Sequence, residues 1–244
     1  MIDRLIRRLR RDEVALSATV SERTERQVGA PTLGCMVEVA PPGTKVAFDK
    51  VVSLFVLLVT SPISLVICLA SFAESAMSPP ARGGLFHDEV RVSAGRPFTL
   101  YKFRILTKDG EQAIRDGAVP KHVENDPRYL TRIGWALKKV GFDELPQLIS
   151  VLIGTMSLVG PRPKPIPEYE QEIERGNVFR AQLRAGLTGP TQAMKGTSRT
   201  GEEKVKAEFD YLELIRSGSR RQIAATDIST LFRTIRVVLG AYGE

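Results

Sequence analysis

Between Val51 and Ala73 the chain carries no charged residue, while Asp49, Lys50 and Glu74 stand at its borders. A run of that length and composition meets the requirement for a membrane span. Ser61 and Pro62 fall near its middle, where a proline removes one helical hydrogen bond and kinks or breaks the helix. Two half-helices of about eleven residues, each rising about 1.5 Å per residue, reach only part way through a hydrocarbon core about 30 Å thick. The sequence on both sides is basic, which draws both ends toward the cytoplasm. These features favour a re-entrant helical hairpin broken at Ser61 and Pro62. A kinked span is the first alternative, and the buried core helix of a soluble protein is the weaker one.

The run divides the 244 residues into three parts: an extension over 1–44, the membrane segment over 45–73, and a water-soluble domain over 74–244. In the extension, Ile2, Leu5, Ile6 and Leu9 recur at helical spacing among Arg4, Arg7, Arg8, Arg10 and Arg11. This predicts a basic amphipathic helix suited to an anionic membrane surface, with a solvated charged tail as the plain alternative. Polar sequence from Ser17 to Gln27 rules out a secretory signal, and Ser17 to Gly43 reads as a linker.

The net charge of +7 suits an anionic partner, whether membrane, nucleic acid or phosphorylated substrate. Nucleic-acid binding rests on that charge alone, since no interleaved aromatics or recognisable module accompany it. Cys35 and Cys68 lie in unlike surroundings, and His87 and His122 are the only histidines. A structural disulfide and a transition-metal site are both unexpected.

Glu89 to Val92 and Phe98 to Leu106 are candidate strands around a turn at Gly95, Arg96 and Pro97. In the second strand Lys102 and Arg104 share one face, and Tyr101, Phe103 and Ile105 the other. Lys108 to Glu124 reads as a charged loop with weak helical character. Ile133, Leu137 and Val140 then space a helix that stops at Gly141, with Lys138 and Lys139 in its last turn. Beyond the site, Glu168 to Arg180 and Glu202 to Ile215 read as helices. A last helix is striped by Ile228, Leu231, Phe232, Ile235 and Leu239; it lies on a membrane or, on the safer reading, packs on the domain.

The chemistry concentrates in the stretch GFDELPQLISVLIGTMSLVGPRP, from Gly141 to Pro163. Asp143 and Glu144 precede Leu145 and Pro146, and proline is favoured in a first helical turn. Ionised carboxylates are stabilised at such a start, so a capping acid with a charged neighbour is the bland reading. Pro161, Pro163, Pro165 and Pro167 alternate with Arg162, Lys164 and Ile166, which predicts an extended segment that presents its cations rigidly. Gly186, Thr188, Gly189 and Pro190 mark a loop able to approach a ligand closely.

An aspartate is ionised at neutral pH and can attack phosphorus without a general base. A pyrophosphate substrate then demands a divalent cation and fixed cations around the transferring group. Glu144 could hold Mg²⁺, which commonly takes one or two carboxylates plus substrate phosphates. Lys102, Arg104, Lys138 and Arg162 are the candidate phosphate neighbours. No P-loop or dinucleotide-binding glycine fingerprint is present.

From about Lys45 to Leu239 the chain resembles the bacterial sugar transferases, the monotopic phosphoglycosyl transferases. The resemblance is carried by Phe48, Asp49 and Lys50 leading into the run with Ser61 and Pro62, then by PFTLYKFR from Pro97 to Arg104 and the NDPR turn. FDELPQL, MSLVGPRP from Met156 to Pro163, and GLTG from Gly186 to Gly189 complete it. It implies an α+β, mostly helical, monotopic membrane protein with an N-terminal re-entrant helical hairpin. It also implies a cytosolic catalytic domain that contains a small β-hairpin and interfacial amphipathic helices.

For function the resemblance implies that Asp143 attacks the phosphorus bearing the sugar in a UDP-sugar, releasing UMP. A phosphosugar is left on the aspartate, and polyprenol phosphate takes it up in the first membrane step of glycan assembly. Glu144 becomes the Mg²⁺ ligand, Lys102 and Arg162 serve the phosphates, and Arg104 and Lys138 are further phosphate candidates. The lipid bilayer is a partner, a homodimer stays open, and the location implied is the cytoplasmic face of the bacterial inner membrane. The chain departs from the pattern at FHDEVRVSAG, Phe86 to Gly95, where the family usually has a glutamine and an arginine followed by a glycine. Glu208 also stands at what looks like an aspartate position. A pyrophosphate hydrolase and a non-enzymatic membrane scaffold are the rival readings.

Overall fold

The structure is a computed structural model that describes residues 38–194 and 200–240. The predicted basic helix over Met1 to Arg11 and most of the linker lie outside the described residues. The protein is mostly helical, with two small two-stranded sheets. Its described residues fall into two compact units. The first takes in the described parts of Met1–Ser53, Glu89–Leu100 and Ser150–Glu244, and the second Leu54–Asp88 and Tyr101–Ile149.

Helix α1, Gly43–Met77, contains the whole apolar run. The expected break at Ser61 and Pro62 is corrected here: both residues lie inside the helix, with Pro62 within its 35 residues. Pro62 has no N–H to give to the carbonyl four residues back, that of Leu58. The Ser61 hydroxyl donates to that same Leu58 oxygen at 2.8 Å, and the Thr60 hydroxyl donates to Val56 O at 2.7 Å. The helix therefore carries a local substitute for the lost bond. Only 11% of its most apolar stretch is buried, which excludes the core-helix alternative.

In the first unit, strand β1, Phe86–Ser93, meets β2, Arg96–Phe103, in a hairpin that continues into the second unit. The turn sits at Ala94 and Gly95, both at positive φ (48° and 74°), the requirement of a two-residue hairpin turn. Helix α5, Gln147–Ile153, leads to β3, Ser157–Val159. Helices α6, Ile166–Glu174, and α7, Phe179–Gln182, replace the single helix expected from Glu168 to Arg180, parted at Gly176 with φ 86°. Strand β4, Gly186–Thr188, pairs in parallel with β3. Helices α8, Gly201–Ser217, and α9, Arg220–Gly240, follow.

Thr200 caps α8 in a capping box with Glu203, which satisfies two otherwise orphaned amides. On α9 the expected packing is corrected. Ile223, Asp227 and Thr230 are the buried residues, while Ile228, Phe232 and Ile235 face outward. The inward face is chosen by its polar partners: Lys45 of α1 donates to Asp227 at 2.8 Å, and the Tyr211 hydroxyl of α8 donates to it at 2.7 Å.

In the second unit an apolar cluster joins Ile67 of α1 to Phe103, Ile105, Leu106, Val123 and Leu137. The charged stretch expected as a loop forms helices α2, Lys108–Arg115, and α3, Pro120–Asn125. Helix α4 is Arg132–Val140 and ends at Gly141 in the left-handed conformation, as its sequence predicts. Gly134 is required where α4 meets Ile105, since a Cβ there would stand 2.2 Å from the Ile105 carbonyl oxygen.

Candidate functional site

Asp143 and Glu144 occupy a short 3-10 turn, Phe142–Glu144, directly after the left-handed Gly141. They sit one turn ahead of α5. Phe142 and Leu145 on either side pack into the apolar cluster of the second unit, so the acids are fixed between two buried anchors. Burial pushes the Asp143 carboxyl up to about 6, the neighbouring Glu144 charge adds to this, and Lys102 opposes it. Glu124 contributes a smaller push in the same direction. Lys102, carried by β2, is thereby placed within electrostatic reach of Asp143.

The other candidate cations of this unit have structural occupations. The Arg104 guanidinium donates to Gly84 O at 2.7 Å, Leu106 O at 3.1 Å and Ala81 O, clamping the loop that follows α1. Lys138 Nζ donates to Glu124 O and, at 2.9 Å, to Asn125 Oδ1. It thus binds the end of α3, where a cation is favoured.

Arg162 belongs to the first unit. Gly160 N donates to Thr188 O at 2.8 Å and Gly186 N to Pro161 O at 2.9 Å, which locks the start of the proline-rich segment onto β4. Arg180 Nη1 donates to Arg162 O at 2.9 Å, leaving the Arg162 side chain exposed. The glycines of GLTG do approach something closely, but it is this segment. A Cβ on Gly186 would meet Gly160 N at 2.2 Å, and one on Gly189 would meet Gly160 O at 2.0 Å.

Asp143, Glu144 and Lys102 are thus brought together within the second unit, and Arg162 belongs to the first. Among the described residues no cluster of three His, Cys, Asp or Glu side chains forms. Oxygen donors from one or two carboxylates suit Mg²⁺, which completes its shell with water and phosphate oxygens; Asp143 and Glu144 fit that pattern. Sequence reasoning missed Glu124 and Arg180, and marked Glu208 only as a departure from an aspartate position, with no sign of its burial. Glu208 accepts from Thr191 Oγ1, and its carboxyl is pushed up to about 7 by burial against the pull of Arg180. No local sequence signal marks Glu124 or Arg180 or the burial of Glu208, because their partners are distant in the chain.

Residues 42–241 match the family described as bacterial sugar transferase. The chain is 35% identical over 197 residues to the UDP-glucose:undecaprenyl-phosphate glucose-1-phosphate transferase of Escherichia coli K12, covering 78% of this chain and 39% of that protein. It is 33% identical over 214 residues to the exopolysaccharide production protein ExoY of Rhizobium meliloti, covering 82% of this chain and 87% of ExoY. A third relative, the UDP-N-acetylgalactosamine-undecaprenyl-phosphate N-acetylgalactosaminephosphotransferase of Aeromonas hydrophila, is 32% identical over 158 residues, 63% of this chain and 35% of its own length. The chain therefore spans little more than a third of the Escherichia coli and Aeromonas relatives. The protein belongs to the bacterial sugar transferase family.

Proposed function

We propose that this protein transfers a phosphosugar from a UDP-sugar to polyprenol phosphate, giving polyprenyl diphosphate sugar and UMP. The observation that carries the reading is the acid pair beside Lys102, in a chain whose relatives are named as undecaprenyl-phosphate sugar phosphotransferases. The Asp143 carboxylate attacks the phosphorus bearing the sugar. A bond forms from Asp143 Oδ to phosphorus, the bridging oxygen bond breaks, and UMP leaves with that oxygen. The phosphate of polyprenol phosphate then attacks the same phosphorus and returns Asp143 as a carboxylate. With its carboxyl at about 6, Asp143 is ionised at neutral pH and more basic than an ordinary aspartate, which favours nucleophilic attack.

Glu144 would hold Mg²⁺, which when bound neutralises part of the pyrophosphate charge. Lys102 receives the phosphate oxygens beside Asp143, Arg162 is a further candidate phosphate ligand carried by the first unit, and the clamp and cap roles of Arg104 and Lys138 make these two secondary. Helix α1 anchors the protein in the bilayer at the cytoplasmic face of the bacterial plasma membrane, so that the soluble donor and the lipid acceptor meet at one level.

The test is intact-protein mass after incubating nanodisc-held protein with Mg²⁺ and a panel of UDP-sugars, without acceptor. A phosphosugar adduct on the wild type and none on Asp143→Asn is expected. UMP release on adding polyprenol phosphate, with no adduct beforehand, would replace the covalent route with direct transfer.

A further inference from the structure

Glu74 enters the sequence reading only as the charge that ends the apolar run, yet its carboxylate is fully used. Oε1 accepts from Arg132 N at 2.7 Å and Oε2 from Ile133 N at 3.0 Å. These are the first two amides of α4, which a helix leaves without internal partners. The Thr131 hydroxyl takes the next amide, that of Gly134, at 2.8 Å. An anion at this end also complements the helix dipole. The last turn of α1 thus supplies the N-terminal cap of the helix that leads to the acid pair.

We propose that Glu74 is a positioning residue for Asp143, acting through α4. The path between them is continuous. Helix α4 cannot slide toward Ile105, since Gly134 already lies at the limit of approach. Thr131 N is tied to Ile105 O at 2.9 Å, Leu137 is buried in the apolar cluster, and Gly141 closes the helix onto Leu137 O and Lys138 O. The next residue but one is Asp143. A rigid helix held at both ends transmits the placement of its first turn to the turn that follows its last. Misplacement of a reacting group by about 1 Å is enough to lower a rate about a hundredfold.

Arg104 supports the same arrangement by clamping the carbonyls of Ala81 and Gly84 just beyond α1, so that Glu74 is presented from a fixed stem. The charged end of the apolar helix is then an element of the site, and insertion of α1 and placement of the nucleophile are mechanically linked within one unit. This inference rests on the reading of Asp143 as nucleophile, and its test separates the two.

The experiment compares wild type, Glu74→Ala and Glu74→Gln as full chains in nanodiscs, by hydrogen exchange over 131–146 and by the kinetics of adduct formation with a UDP-sugar. For Glu74→Ala the expected result is faster exchange that extends through 141–146. The rate of adduct formation falls about tenfold to a hundredfold, while the donor KM stays within about threefold, the pattern of a lost transition-state arrangement. Glu74→Gln, which keeps one acceptor oxygen, restores part of both. Exchange confined to 132–135, with the rate per active site unchanged, overturns the proposal even if the covalent adduct forms normally. Exchange that spreads to 141–146 in a protein whose wild type forms no adduct upholds the positioning and overturns the reading of the reaction.

Discussion

The two ends of α1 are held by opposite physics. At its start Lys45 and Asp49 are 7% and 6% exposed, and Asp227 of α9 is 1% exposed. One lysine serves both carboxylates, at 3.5 Å and 2.8 Å, while the Ser157 hydroxyl donates to Asp49 at 2.6 Å. Toward its other end Ile67 packs among Phe103, Leu106 and Leu137, and Glu74 caps α4. A buried ionic node is directional and tolerates no missing partner. An apolar cluster tolerates reshaping, and gives up stability in proportion to what is removed. The start of α1 is therefore specified by charge, and its later part by shape.

Removing Lys45 tests the first half most severely. Lys45→Ala leaves two buried carboxylates without their cation, and a loss of about 3–5 kcal/mol is expected, read by denaturant unfolding. Lys45→Met combined with Asp49→Asn and Asp227→Asn removes all three charges and should recover a large part of that loss; equal losses for the single and triple variants would break the contrast. In the second unit Leu137→Ala should cost about 2–4 kcal/mol as a cavity effect, without the rescue seen in the ionic node. Gly134→Ala probes shape from the other side. The added Cβ meets the Ile105 backbone, and overpacking should cost about 1–3 kcal/mol and slow adduct formation in the same protein.

The smallest expected effect has the opposite sign. The folded-state carboxyl of Asp143 lies at about 6, above its ordinary value of 3.8, so the folded protein holds that proton more tightly than the unfolded chain. The associated stability is fully present below the ordinary value and is lost as pH rises through about 6. Asp143→Asn should therefore be more stable than wild type at pH 8, by up to about 2 kcal/mol, and equal to it near pH 3, while forming no adduct. Thermal unfolding at the two pH values, without donor or metal, checks this. A variant less stable at pH 8 would show that Asp143 supports the fold.

Much of this was legible from the chain. Leu137, Val140 and the glycine that follows them announce α4 and its end, and the uncharged run announces α1. The acid pair is conspicuous because its neighbours Leu145 and Pro146 are local. What could not be read depends on partners far away in sequence. Lys45 and Asp227 lie 182 positions apart, and nothing near either one names the other. Arg104 reads as a phosphate ligand because its strand face is basic, yet backbone carbonyls of the 81–85 loop take its donors. The three-residue strands β3 and β4 escape period counting altogether. They exist because Gly160, Gly186 and Gly189 let two backbones meet, a fact about pairs of sites and not about either segment.

On the proposed reading that α1 enters a bilayer, the hydroxyl that replaces the amide of Pro62 has a further consequence. In bulk solvent a carbonyl abandoned by proline turns to water; in hydrocarbon it has nowhere to turn. Ser61 gives Leu58 that missing donor from within the same turn. The helix thus brings its own moisture to the carbonyl that its proline leaves dry, and needs no donor from outside the turn to hold it.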